Sequence, residues 1–402
     1  RLVMGKPTPC VGREQELSQL EAVLRSCIEE STARVVLVTA PSGYGKTRLR
    51  HEFLRRVERS GERVEVLVGY GNPRGEDLLF PVLRNALVTL FGFQSSDAGA
   101  VTAQKLLDRV SLRVDPAIAG RVSALLGELC GAPVGDDGSA ELREARKDPK
   151  GMADLIARAF MDLLRAECKA GPVLLLLEDL QWIDAPTLRL LDGALRELAH
   201  EPFMVLALSR PEIEELLPKL WNERGALRLR LPGLSRKASK RLVAEVLGVG
   251  ADSPAVERIA GQAQGNALLL EELMRAEMEG REDAPPDTAL AILQSYMLRL
   301  DTNTRRVLRG AAIFGGTFWR GGLNALYASS ITAQMLDASL TALVDAAFIE
   351  RRPESRFEGE VEYAFCHALL RDAAYRLLTD EDRALGHRIV GEYMTRIDRR
   401  PD

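Results

Sequence analysis

A strong charge of either sign is missing from this chain. Its 402 residues carry 54 Lys and Arg against 58 Asp and Glu, a formal net charge of −4. Bulk electrostatics therefore favour neither nucleic acid nor a membrane surface. Cysteine is sparse: Cys10, Cys27, Cys130, Cys168 and Cys366 are scattered, odd in number and without a CxxC pair. That pattern argues against a disulfide framework and reads as reduced, mostly buried thiols in a cytoplasmic protein. Long apolar runs are absent too. A run such as Val173–Leu177 is far too short to span a bilayer, so no membrane role is expected. No signal-peptide pattern, internal repeat or low-complexity tract is visible. The chain opens on Arg1 rather than Met, which reads as a segment of a longer protein.

What is present is an ordinary globular balance, 46% apolar and 28% charged residues, with length for roughly two to four domains. A helical pattern runs through Leu17, Leu20, Val23, Leu24 and Ile28. A β-rich run at Arg34–Ala40 then enters a Gly-rich loop, followed by a helix over Thr47–Arg59 and a strand over Arg63–Val68. Strand, loop, helix, strand is the start of a parallel α/β sheet. Residues 91–150 lose the strand pattern and read as a helical insertion with a mobile loop at GAPVGDDGS. Met152–Cys168 is an amphipathic helix feeding a strand apolar on both faces, as a central parallel strand must be. Another helix, Pro186–Ala199, and a buried strand, Phe203–Arg210, follow. The fold class expected is α/β: a P-loop parallel-sheet domain over 1–230, a small all-α bundle over 231–284, which the resemblance given below makes a lid, and a winged-helix domain over 285–402. The winged helix rests on helices at Leu293–Leu300, Arg306–Ile313 and Ala333–Ala347, with a terminal hairpin at Phe348–Arg352 and Val361–Phe365. The segment REDAPPD from Arg281 reads as a linker.

The sharpest chemical signal is APSGYGKT over residues 40–47. A phosphate chain needs inward-pointing backbone N–H groups backed by a helix N-terminus. Gly43 and Gly45 allow the required backbone angles, Lys46 would reach the β- and γ-phosphates, and Thr47 would bind Mg²⁺. Ala40 stands where the pattern usually begins with glycine, at the strand end, where a methyl group is tolerable. The second signal is LLLLED, ending at Glu178 and Asp179. A buried strand places both acids at the carboxyl edge of the sheet, where ligands bind in open α/β folds. Glu178 would hold Mg²⁺ through water, and Asp179 could polarise the attacking water. Arg210 ends the next strand on the same edge and could sense the γ-phosphate. Asp184 reads as a helix N-cap and Trp182 as a packing residue. His51, His200 and His387 read as surface residues.

Taken together these motifs resemble a STAND-type signalling ATPase, a relative of the AAA-plus group, from Val11 to about Tyr393. Bacterial multidomain regulators, apoptotic adaptors and plant immune receptors share this module. The resemblance implies that Val11, Gly12 and Arg13 contact adenine and ribose. It further implies that Ser42, Gly43, Tyr44, Gly45, Lys46, Thr47 and Arg48 cradle the phosphates. Gly265-Asn266-Ala267 is similar to the lid motif that closes on the base, with Ala267 in place of proline. FCHALLRD resembles the winged-helix motif whose histidine, here His367, touches the ADP β-phosphate; Ala368 replaces the aspartate that often follows. The implied role is an ATP/ADP-binding switch with Mg²⁺, slow hydrolysis and self-association in the ATP state. Flanking kinase, cyclase or helical-repeat domains are compatible with it. Two other readings stand beside it. One is a DNA-binding regulator using the winged helix, for which basic residues are few. The other is a mechanical AAA-plus motor or loader, which needs a stronger base than Asp179.

Overall fold

The structure, a computed structural model, describes residues 2, 3, 6, 7, 10–41, 43–71, 80–94, 97–132, 142, 145–278, 293, 294, 297, 298, 300–328, 330–346, 348–366 and 368–398. Two compact units divide the chain: Pro9–Phe93 with Asp97–Gly233, and a second built mainly from Leu234–Asp402. The proposed lid and winged-helix segments share one unit, and the proposed linker from Arg281 lies outside the described residues.

The first unit is organised by five parallel strands: β1 (Arg34–Thr39), β2 (Glu65–Tyr70), β3 (Val173–Glu178), β4 (Phe203–Ser209) and β5 (Leu227–Arg230). Their spatial order is β2-β3-β4-β1-β5. Side chains alternate across a strand, and here both faces are apolar, so each face needs its own cover. Val36, Val38, Leu174, Leu176, Met204 and Leu206 pack under α1 (Glu14–Glu29) and α2 (Lys46–Ser60). Val35, Leu37, Leu175, Leu177, Val205 and Ala207 face α6 (Pro149–Ala170) and α7 (Ala185–Glu197). Leu49, Phe53 and Val57 of α2 recur every four residues and are buried. Phe53 has no exposed surface, so Phe53→Ala would cost about 3–5 kcal/mol. The register aligns the strand ends: Thr39 lies beside Ser209 and Arg230, and Tyr70 beside Glu178. One carboxyl edge therefore gathers the loop after β1, the acids after β3 and the end of β4.

The helical insertion holds α4 (Gly99–Arg113) and α5 (Pro116–Cys130); its GAPVGDDGS loop lies almost wholly outside the described residues. An additional helix, α3 (Pro81–Phe91), starts on a proline at its first turn and packs on β2. Arg109 of α4 bridges buried Glu167 of α6 at 2.7 Å and Glu65 of β2 at 2.6 Å, which ties the insertion to the sheet.

The second unit begins with three helices, α8 (Arg236–Leu247), α9 (Pro254–Ala263) and α10 (Ala267–Met278). Ser235 and Ser253 cap the first two by accepting from the N–H groups of Ala238 and Val256. Next come α11 (Thr302–Phe314), β6 (Thr317–Trp319), α12 (Arg320–Tyr327), α13 (Ala333–Asp345), β7 (Ile349–Arg351) and β8 (Glu362–Phe365). The expected hairpin is present: β8 pairs antiparallel with β7 and, on its other side, with β6. The chain closes with α14 (Ala368–Arg376) and α15 (Asp380–Asp398). Among the described residues no helix is long and apolar enough to cross a membrane.

Candidate active site

The loop after β1 turns through Gly43 and Gly45, whose φ angles of 83° and 91° lie in the left-handed region that glycine adopts without strain. Gly45 is the N-cap of α2, and a Cβ there would meet no atom of the described residues within 4 Å. Backbone N–H groups at a helix start, with open space before them, form an anion cradle. Ala40 is buried, and its N–H donates to the Ser209 carbonyl at 3.2 Å, so the loop is anchored to the end of β4. The methyl group is accommodated there, as the sequence suggests.

Lys46 donates to the carbonyls of Ala40 at 2.6 Å and Pro41 at 3.2 Å, folding its ammonium back over the loop. Burial pushes that ammonium down to about 8, Asp179 and Glu212 pull it back up, and Arg210 lowers it. Asp179, Arg210 and Glu212 thus share the electrostatic field of the loop lysine. Thr47 is exposed at the first turn of α2. Ser42 and His367 lie outside the described residues.

The acids after β3 are held differently from each other. Glu178 is ion-paired with Arg50 of α2, and the two side chains are only 14% and 11% exposed. The carboxylate assigned to Mg²⁺ from sequence therefore already has a cationic partner, which sequence reading missed. Asp179 sits in the left-handed region with φ 52°. Its carbonyl abuts Gly71, so that any side chain at that position would collide with the Asp179 oxygen. The neighbouring Gly71 N–H donates to the Glu178 carbonyl at 2.8 Å. The bonding role of Gln181 was missed as well. Its amide nitrogen donates to Asp179 at 2.9 Å, while its carbonyl accepts from Ser209 Oγ at 3.0 Å and from the Arg210 N–H at 3.1 Å.

Other expected residues take structural partners. Arg13 is buried; it donates to the carbonyls of Tyr44 at 3.0 Å and Pro232 at 2.7 Å, with Glu16 at 3.4 Å. It thus braces the phosphate loop through main chain. Val11 is buried, Gly12 is exposed with its N–H on Glu14 at 3.3 Å, and Arg48 is half-buried at the start of α2. Asn266 precedes α10, and its side chain accepts from the Leu269 N–H at 3.1 Å, a capping role. Asp184 is the N-cap expected of it, accepting from the Thr187 N–H at 2.8 Å. Trp182 is 40% exposed, which corrects its reading as a packing residue: the turn that aims Asp179 leaves the indole at the surface. His51, His200 and His387 are exposed, as expected. Among the described residues no disulfide forms, and Cys27, Cys130 and Cys168 are buried.

Do these residues fit a magnesium nucleotide? Among the described residues no group of three or more His, Cys, Asp or Glu could hold a metal alone. A hydroxyl at Thr47 and one paired carboxylate at Glu178 suit a Mg²⁺ ion that brings phosphate oxygens and water with it. A separate cavity of about 600 Å³ opens at the opposite sheet edge, beside Glu65, Val66 and Pro172. Its Arg113 and Glu167 are already paired at 3.3 Å, and it takes no part here.

The AAA ATPase domain family matches residues 9–206. An uncharacterized protein of Rhizobium meliloti (strain 1021) is 30% identical over 398 residues, covering 94% of this chain and 36% of that protein. The chain thus spans about a third of the length of this curated relative. Among solved structures, a Signal Transduction ATPase with Numerous Domains (STAND) protein with a tetratricopeptide repeat sensor, from Pyrococcus horikoshii, is similar with a TM-score of 0.52 at 14% identity. That match covers 98% of this chain and 47% of the other. An Aeropyrum pernix ORC1 protein, solved in complex with DNA, matches at a TM-score of 0.41 and 15% identity, covering 94% and 95% of the two chains.

Proposed function

We propose, on the premise that residues 9–206 are an AAA ATPase domain in a chain with the fold of a STAND ATPase, that this chain is an ATP/ADP-binding regulatory switch. It hydrolyses ATP slowly with Mg²⁺ and controls opening and self-assembly of a longer protein. The observation that carries this reading is the single sheet edge where the Gly45 cradle, Lys46, Asp179 and Arg210 meet.

Each residue has a task that follows from its chemistry. The N–H groups at the start of α2 and the Lys46 ammonium bind the phosphates. Lys46 leaves the carbonyls of Ala40 and Pro41 to do so. Thr47 and Glu178 would hold Mg²⁺, which supplies charge neutralisation on the phosphates. Asp179 accepts a proton from the attacking water as its oxygen bonds to the γ-phosphorus. The bond from that phosphorus to the bridging oxygen breaks, and ADP leaves with the electron pair. Arg210 faces the transferred group. Asp179 is one methylene shorter than Glu, which sets the base further from water and favours slow turnover.

Slow turnover suits a switch whose state is the bound nucleotide. A nucleotide shifts such an equilibrium only through contacts that differ between states. Arg210 is the candidate for sensing ATP, and His367 for clamping ADP. The order α11-β6-α12-α13 followed by the β7–β8 hairpin supports reading residues 285–402 as a winged-helix domain. The helix that would enter a DNA groove, α13, exposes Gln334, Met335, Asp337, Ala338, Thr341 and Ala342 and carries no basic residue. This disfavours DNA binding, which needs Lys and Arg at phosphates and base edges. The short base disfavours a motor. Cytoplasmic location and self-association in the ATP state belong to the same reading.

The deciding experiment is calorimetry of wild type and Lys46→Ala with ADP and Mg²⁺. Wild type should bind and the variant should not; equal affinities would overturn the phosphate-loop assignment.

A further inference from the structure

Gln181 lies in the LQWID stretch that follows the acids, where the sequence alone gives it no task, yet its side chain sits between the acid and the sensing strand. Its amide orientation is fixed by its partners. The Arg210 backbone N–H can only donate, so the atom 3.1 Å away must be the amide oxygen. The Ser209 hydroxyl, fully buried, adds a second donor to that oxygen at 3.0 Å. The amide NH₂ is therefore turned toward Asp179, whose carboxylate can accept, at 2.9 Å. The same Ser209 accepts the Ala40 N–H through its main-chain carbonyl. A continuous path runs from the phosphate loop through Ser209 and Gln181 to Asp179.

We infer that Gln181 is a positioning residue: it aims the Asp179 carboxylate and couples that aim to the end of β4, where Arg210 faces the γ-phosphate. The Gln181 amide holds one Asp179 oxygen and leaves the other to accept from water. Without it, the Asp179 carboxylate would lose that partner, and the left-handed turn would be held through main chain, where the Asp179 carbonyl accepts from the Trp182 N–H at 2.9 Å. Movement of Arg210 toward a γ-phosphate carries its backbone N–H, and through Gln181 it moves the base. This inference rests on the nucleotide-switch reading above.

The test separates rate from binding. Gln181→Met keeps the length but can neither accept from Ser209 nor donate to Asp179. It should lower kcat by about 10–100-fold, the cost of a misplaced reacting group, while ADP and ATP affinities stay within about twofold. Gln181→His carries an acceptor and a donor at similar spacing and should recover part of kcat. Gln181→Glu keeps the acceptor, loses the donor and should not recover it. Should Gln181→Met fail to fold, Ser209→Ala removes one of the two donors holding the amide and should lower kcat about threefold or more with binding unchanged. The role is overturned if Gln181→Met, or Ser209→Ala in its place, turns over like wild type. It is also overturned if rate and affinity fall together, or if wild type binds ATP without hydrolysing it in long single-turnover runs. Failure of wild type to bind ADP or ATP at all would sink the switch reading itself, a distinct result.

Discussion

Raising the pH from about 7 to about 9 should weaken nucleotide binding about tenfold, because Lys46 loses its charge in the free protein first. Burial holds its ammonium at about 8. Phosphate oxygens in place of the Ala40 and Pro41 carbonyls would return it to roughly the ordinary lysine value of about 10.4 or above. The sign follows from that difference. Below about pH 8 the lysine is charged in both states and affinity is full. Above it the complex must take up a proton, so affinity falls as pH rises. At about pH 9 roughly one free molecule in ten carries the charge, a loss of about 1.4 kcal/mol. The last proton of a phosphate leaves near about pH 6, outside this window. Calorimetry with ADP in buffers of different ionisation enthalpy reads both affinity and proton uptake. Lys46→Arg, which cannot lose its charge, should show a flat profile. Constant wild-type affinity across the window, with no proton uptake, would refute the placement of a buried Lys46 at the phosphates.

Two further predictions concern the walls of the site. Arg50→Met removes the partner of Glu178 and should destabilise the protein by about 2–3 kcal/mol in urea unfolding, since an uncompensated carboxylate stays mostly buried. Adding Glu178→Gln should recover half of that or more; a loss below about 0.5 kcal/mol for Arg50→Met would mark the pair as no better than a surface one. Gly71→Ala places a methyl group against the Asp179 carbonyl and should cost about 1–3 kcal/mol by overpacking while lowering kcat more than affinity. Wild-type turnover in that variant would show that the turn tolerates displacement of Asp179.

The phosphate loop was legible in the sequence because its chemistry demands residues that composition rarely supplies together: two glycines, a lysine and a hydroxyl between strand and helix. The central strands were legible for the same reason, since Val173–Glu178 and Phe203–Ser209 are apolar at every position but the last. β5 was not read as a strand. Leu-Arg-Leu-Arg over 227–230 looks like a half-exposed segment, and among the described residues it is an edge strand paired with β1. β2 was expected two residues early because Arg63 and Val64 continue the same alternation. In the second unit the hairpin was visible from its polar turn, while β6 is three residues long and too short to show a pattern. Arg50 and Gln181 escaped for a different reason. Each is an ordinary polar residue on its own element, and each acquires meaning only when the parallel register brings α2, β3 and β4 to one edge.

The proposal that nucleotide state is what this chain communicates is tested most directly by hydrogen exchange. The same protein would be saturated with Mg²⁺ and either ADP or a non-hydrolysable ATP analogue. A switch requires amides in residues 234–398 to exchange at different rates in the two complexes, in addition to any difference around the phosphate loop. Identical exchange throughout that range, with both ligands shown to be bound, would contradict it.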